Sequence, residues 1–272
     1  MNPLISIITV TYNAEPTIER TLQSVEQQTY PHIEHIIIDG CSTDHTLSHV
    51  QRYVERNGEK SHLIRVVREP DNGLYDAMNK GIQQATGDYL VFLNAGDKLH
   101  EPTTIEQIVD KMKWKNDRAR STSFRGSLGW SRNYAVVYGE TDWVDNEGRF
   151  LRHRRLQAPE HLSSRSFLSG MLVCHQSFYV RTDIAKRTPY DLHYRYSADY
   201  DWCIRIMQRA EKRRLRFLNT HLILTDYLSE GLTTKNHRRS LVERLRLMAH
   251  HYGWPSALAA HLWFVVRAVI KR

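Results

Sequence analysis

The chain is poor in cysteine: Cys41, Cys174 and Cys203 are an odd number with no C-x-x-C pair. That excludes a disulfide scaffold and a cysteine-built zinc site, and suits a reducing compartment. No G-x-G-x-x-G follows the first apolar run, and no G-x-x-x-x-G-K-[ST] occurs anywhere. Neither a dinucleotide fingerprint nor a phosphate-cradling P-loop is therefore present. Long apolar runs are also missing. The most apolar stretch, 254–270, is interrupted by His261 and Arg267, short of the roughly 18 unbroken apolar residues a spanning helix requires. No basic leader region precedes the strand that starts at Leu4, so no cleavable signal is expected. No internal repeat is found.

What is present suits a soluble α/β protein. Its 272 residues are 41% hydrophobic and 25% charged, which excludes collagen-like and wholly disordered chains and allows a sizeable core. The formal charge of +8 is unevenly spread. Residues 1–110 carry 8 Lys/Arg against 16 Asp/Glu, 111–204 carry 16 against 10, and 205–272 carry 14 against 4. An acidic front suits a metal-holding site. A basic rear suits an anionic partner such as a phosphate group, a membrane surface or nucleic acid.

The patterning predicts strands at 4–12, 33–39, 62–68 and 88–93, because these runs are β-branched and apolar as buried parallel strands should be. Helices are predicted between them at 16–28, 43–56 and 74–86. This alternation argues for a doubly wound, mostly parallel sheet. A helix follows at 102–114, then a basic, Ser-rich stretch, 115–132, read as a loop. Short strands are expected at Tyr134–Tyr138 and Ser177–Arg181, and a helix near Asp199 whose apolar side is Trp202, Ile206 and Ala210. Residues 235–252 read as a basic helix.

Ligands bind beyond the carboxyl ends of parallel strands. Each predicted strand there ends in polar groups: Thr11, Tyr12, Asn13 and Glu15; Asp39-Gly40; Arg68 through Asp71, Asn72 and Gly73; and Asn94-Ala95-Gly96-Asp97. Any one of these is an ordinary turn. Four together point to a ligand.

The run ISIITVTYNA followed by TLQSVEQQTYPHIEHIIIDGCSTDHT resembles the start of family 2 glycosyltransferases. REPDNGLYDAMNKGIQQATGDYLVFLNAGD is more specific and is similar to the bacterial exopolysaccharide branch, including the colanic-acid type. CHQSFYV, YDLHYRYSADYDW and EGLTTKNH fit the same branch, so the resemblance covers roughly residues 4–240 in order. It implies a GT-A fold over 1–234, with a nucleotide-sugar half at about 1–100 and an acceptor half at about 134–234; the residues of 235–272 themselves read as a basic, amphipathic helical tail. It also implies inversion at the anomeric carbon, a nucleotide-sugar donor and Mg²⁺ or Mn²⁺. The acceptor it implies is a lipid-linked or other glycan at the inner face of the cytoplasmic membrane, with the enzyme cytoplasmic or peripheral there and with no nucleic acid as partner.

Carried over by motif, Thr11 and Asp39 contact the nucleoside base, and a carboxylate at Asp39 could accept the uracil N3–H. Tyr12, Asn13 and Glu15 line that pocket. Gly40, Arg68, Asp71, Asn72 and Gly73 lie along the donor, and Asn79 supports their loop. The metal motif is thinned to a single carboxylate, Asp97. Cys41 and Glu230 stand where the family usually has glycine. The general base aligns with Asp199, with Asp201 as the alternative. His175-Gln176 matches the acceptor-side His-Gln, and Lys235, His237, Arg238 and Arg239 could close over the diphosphate. Competing readings are a catalytically silent nucleotide-sugar binder, a nucleotidyltransferase and a nucleic-acid binder. A nucleotidyltransferase would carry a Gly-rich, cationic loop after the first strand, and Asn13-Ala14-Glu15 does not supply one. A nucleic-acid binder would present a basic helix or an aromatic-studded sheet.

Overall fold

A computed structural model describes residues 2–57, 62–120, 134–229 and 237–270. The first half follows the predicted alternation: β1 (Ile5–Thr11), α1 (Glu15–Glu26), β2 (Ile33–Asp39), α2 (Thr46–Arg56), β3 (Leu63–Arg68), α3 (Leu74–Gln84) and β4 (Tyr89–Phe92). Then come β5 (Lys98–Leu99), α4 (Thr104–Arg120), β6 (Tyr134–Val144), β7 (Phe150–His153), β8 (Phe178–Arg181), α5 (Thr182–Ala185), α6 (Ala198–Lys212) and β9 (Arg216–Leu228). The chain closes with α7 (His237–Tyr252) and α8 (Trp254–Ile270).

One sheet runs β3-β2-β1-β4-β8-β6-β9-β5, with β7 paired to β6. The β3-β2-β1-β4 section is parallel. Strand β8 enters antiparallel to both β4 and β6, while β6 and β9 are parallel. This is the α/β architecture with a mostly parallel sheet that the resemblance implies, followed by the C-terminal helical extension read from the residues of 235–272.

Side chains of β1 alternate between two cores, as the pleat requires. Ile8 and Val10 join Met78 of α3 and Trp202, Ile206 and Met207 of α6. Ile5 and Ile7 face the other way, with Ile105, Ile108 and Val109 of α4. Leu247, Met248 and Ala257 of α7 and α8 are buried in the first of these cores, so the C-terminal helices pack directly on the body.

Three expectations need correction. Helix α4 continues to Arg120, so the start of the predicted 115–132 loop is helical and only 121–133 lie outside the described residues. The strand expected at 134–138 runs on to Val144. Strand β9, 13 residues long, was not predicted at all. Its apolar residues are broken by Asn219, Thr220 and His221, and its pairing with β6 is irregular at several points. No simple period of two survives there.

Candidate active site

The carboxyl ends of β1 and β2 form the floor of the first part of the site. Thr11 and Asp39 are register partners and both are buried. The Thr11 hydroxyl has no protein partner, although it is buried. Asp39 accepts from the Ser42 hydroxyl at 2.5 Å and from the Ser42 amide at 3.0 Å, with the Arg68 Nε 3.8 Å away. Above this floor the Tyr12 ring stands exposed. A Cβ at Gly40 would come within 2.3 Å of an Asp71 carboxylate oxygen and 3.4 Å of the Tyr12 ring, so a side chain there would displace Asp71. Tyr12, Gly40 and Asp71 thus converge from three loops.

These loops are cross-tied before any ligand arrives. The Asn13 carboxamide accepts from the Thr43 amide, Glu15 accepts from the His45 amide, and Asp44 accepts from the Glu15 amide. Asn13 and Glu15 therefore spend their side chains holding one loop to the other, where the sequence suggested they line the pocket. Cys41 has φ +64°, the left-handed region, which explains why glycine is usual at that position. In the third loop, Asp71 accepts from the Gly73 amide and Asp76 from the Asn72 amide, and Gly73 has φ +111°. Asn79 differs from expectation. Its carboxamide makes both bonds to the backbone of Tyr190, at 2.7 and 3.0 Å, and so ties α3 to the segment before α6 instead of supporting the 71–73 loop.

The Asn94–Asp97 turn is fixed from several sides. The Thr21 hydroxyl donates to the Asp97 carbonyl and accepts from the Gly96 amide. Asp97 is buried; its carboxylate accepts from the Gln176 amide nitrogen and the Leu228 amide, both at 3.0 Å. Burial raises its pKa to about 6 despite these bonds. The Asn94 carboxamide oxygen is buried without a protein partner. The Asp97 carboxylate and the Asn94 oxygen, three residues apart in one turn, are hard oxygen donors of the kind Mg²⁺ or Mn²⁺ takes, with diphosphate oxygens and water completing the shell.

His175 and Gln176 form a single 3₁₀ turn, which places them between this turn and α6. Gln176 reaches Asp97. His175 Nδ1 lies 3.5 Å from Asp199 and Nε2 lies 3.4 Å from the Asn94 amide nitrogen. Donation from Nδ1 to Asp199 and acceptance at Nε2 from the Asn94 amide nitrogen satisfy both contacts. Asp199, about a quarter exposed, also accepts from the Tyr200 amide and from the Tyr75 hydroxyl at 3.3 Å. Burial pushes its pKa up, but His175, the Tyr200 amide and Arg244 outweigh that and hold the carboxyl below its ordinary range. Asp201 is placed differently. It is buried in a triad, taking Arg205 Nε at 2.5 Å and His251 Nε2 at 2.7 Å. Lys235 lies outside the described residues, as does the His237 side chain.

Sequence reasoning missed Tyr75 and Tyr190. Tyr75 stacks on Tyr190, which stacks on Trp202, making an aromatic wall behind Asp199. The signal was the spacing: Tyr75 and Asn79, four apart, share the α3 face that meets Tyr190. Also unforeseen is a second group, His100, Asp142 and Asp226, whose ligand-type atoms lie within 4.8 Å of one another. It alternates along β6 and β9 with Thr141 and Thr225, which bond Ser177 and Gln176. Lys98 at 2.9 Å and His100 at 2.7 Å already pair with Asp226, and His153 with Asp142.

The sequence model for glycosyl transferase family 2 matches residues 6–186. A PGL/p-HBAD biosynthesis glycosyltransferase of Mycobacterium tuberculosis is 32% identical over 280 residues, covering 99% of this chain and 97% of that one. The putative teichuronic acid biosynthesis glycosyltransferase TuaG of Bacillus subtilis is 37% identical over 124 residues, covering 46% of each. Among solved structures, S. aureus TarS 1-349 in complex with UDP-GlcNAc gives a TM-score of 0.64 at 16% identity, covering 90% of this chain and 66% of that one. A Pyrobaculum calidifontis mannosyltransferase in complex with GDP-Man and Mn²⁺ gives 0.58 at 17%, covering 96% and 74%. The fold is that of these GT-A transferases, and on the family match and the nearly full-length relative the chain belongs to the family 2 glycosyltransferases.

Proposed function

We propose that the protein is an inverting glycosyltransferase that moves a sugar from a UDP-sugar to a lipid-linked glycan in bacterial exopolysaccharide, capsule or lipopolysaccharide synthesis, colanic-acid-type pathways included. The observation that carries this is the line Asp97–Gln176–His175–Asp199, which joins the turn at the end of β4 to the mouth of α6. An inverting transfer is one displacement at one carbon. It needs a base on the acceptor side and charge neutralisation on the leaving side. The chain offers one carboxylate for each.

Asp199 takes the proton of the attacking acceptor hydroxyl as the new C–O bond forms and the nucleoside diphosphate departs with the electrons of the broken one. His175 holds the Asp199 carboxylate in place and keeps it ionised. Asp201, occupied by Arg205 and His251, has no such freedom. Asp97 and the Asn94 oxygen would hold Mg²⁺ or Mn²⁺, which supplies charge neutralisation to the diphosphate when bound. Thr11, Asp39, Tyr12, Gly40 and Asp71 accommodate the nucleoside, with Arg68, Asn72 and Gly73 along the donor. We assign Lys235 and His237 to the diphosphate on the motif alone. We infer that the enzyme works at the cytoplasmic face of the membrane, where a lipid-linked acceptor resides.

Support for the donor comes from TarS, solved with UDP-GlcNAc, and for the metal from the mannosyltransferase, solved with Mn²⁺. The teichuronic acid relative favours a polysaccharide pathway. The test is a panel of UDP- and GDP-sugars with Mn²⁺ or Mg²⁺, reading donor hydrolysis. Turnover of a UDP-sugar that disappears on chelation is expected. Thermal stabilisation by nucleotide-sugars without any turnover would instead mark a silent donor-binding protein.

A further inference from the structure

Helix α8 is turned inside out for a helix in water. Its inward side holds Ala257, Ala260 and Phe264 together with both of its cationic or titratable side chains. Arg267 donates to the Ser169 carbonyl and lies over the Phe264 ring, and His261 bonds back to the Ala257 carbonyl. Its outward side carries Trp254, Leu258, Leu262, Trp263 and Val265, each more than half exposed, with Val266 beside them. The sequence 254–270 contains no Asp, Glu or Lys. A surface helix normally shows the opposite arrangement, with charge outward.

We infer that this face of α8 docks on an anionic lipid bilayer and lies in its interface. Seventeen residues span about 25 Å as a helix, short of the roughly 30 Å hydrocarbon core, and no helix among the described residues is long and apolar enough to cross a membrane. An interfacial helix needs only an apolar face, and tryptophan favours that depth. Charge selects lipid over a second copy of the chain. Residues 237–270 hold five arginines against one glutamate, and Arg239 and Arg246 are exposed on α7. Two copies would bring like charge together, whereas an anionic leaflet attracts it.

The docked helix is fastened to the catalytic body. It follows α7 after one left-handed residue, Gly253 (φ +83°). At the end of α7, His251 bonds Asp201, two residues from Asp199, and the Tyr252 hydroxyl bonds the Ser164 carbonyl at 2.5 Å. A bilayer holding α8 therefore holds the base at a fixed position relative to the leaflet. The inference rests on the exposed face of α8 and does not require the proposed donor chemistry.

The experiment is flotation of the full chain with vesicles of phosphatidylcholine containing phosphatidylglycerol, with pure phosphatidylcholine alongside. The double variant Leu258→Asp/Leu262→Asp is compared with Val66→Asp, an exposed apolar site on the edge strand β3. Sedimentation velocity and donor hydrolysis in solution are measured on each. Wild type and Val66→Asp should float with anionic vesicles, and less with neutral ones. The double variant should bind about tenfold or more weakly with hydrolysis unchanged. Equal flotation of all three, or none by wild type, overturns the inference. So does a wild-type dimer that the double variant converts to monomer while neither floats. Loss of hydrolysis in every protein would count against the sugar-transfer reading and leave the membrane result standing.

Discussion

The front and rear of this molecule solve different problems. Up to β4 the loops are tied to one another, Asn13 to Thr43 and Glu15 to His45, or within themselves, Asp71 to Gly73. Such a surface is organised before its ligand arrives, and less ordering entropy is lost on binding. From β6 onward the polar contacts run from element to element instead. Asn79 reaches the segment before α6, His175 joins the β4 turn to α6, and His251 joins α7 to α6. In the proposed function the front holds the donor, and the rear places one group, Asp199, against it.

The largest test of that contrast is Asp199→Asn. Transfer should fall by about 10²–10⁴-fold, with UDP affinity by calorimetry unchanged, because the front is untouched. A parallel loss of UDP binding would dissolve the distinction. Since His175 holds the Asp199 carboxyl below its ordinary range, wild-type transfer should keep its base ionised through mildly acidic pH. Asp97→Asn comes next, with transfer down by about 10²–10³-fold and the fold intact by circular dichroism. A variant as fast as wild type, with or without chelator, would remove Asp97 from the metal site.

Asp201→Asn should do the reverse of Asp199→Asn. It leaves Arg205 and His251 facing a neutral amide in a buried triad, at a cost of about 3–5 kcal/mol. Denaturant titration should show the loss, while the folded fraction still turns over. The smallest effect concerns His100. Its hydrogen bond to Asp226 raises its pKa against burial. A histidine raised in the folded state adds stability that is complete below the unfolded value near 6.5 and is lost as pH rises through the folded value. His100→Gln should therefore lower Tm at pH 5.5 by more than at pH 8.5, through about 1 kcal/mol. An equal deficit at both would show that the imidazole acts by packing alone.

How legible this was in the sequence follows the same division. Buried parallel strands leave runs such as ISIITV and IEHIII, and their polar ends stand out against them. The pairing of α6 side chains was legible too, since Trp202, Ile206 and Ala210 are all buried. Strand β9 was not, because Asn219, Thr220 and His221 break its alternation and it is its pairing with β6 and β5 that makes it a strand. The roles of Asp199 and Asp201 could not be separated by spacing. What separates them is His251, 50 residues on. Likewise Asn79 reads as part of its own loop until Tyr190, 111 residues away, is seen to claim it.

The bond from the Leu228 amide to Asp97 has a consequence for how the molecule is made. It spans 131 residues, and among the described residues β5 beside it pairs only with β9. On a ribosome, β1 to β4 can assemble into their parallel section soon after they emerge. The Asn94–Asp97 turn at its edge must wait until nearly the whole chain has been synthesised. A nascent chain stalled before residue 228 would carry the proposed nucleoside floor without the Leu228 bond that fixes Asp97, so the proposed diphosphate site is completed late in folding.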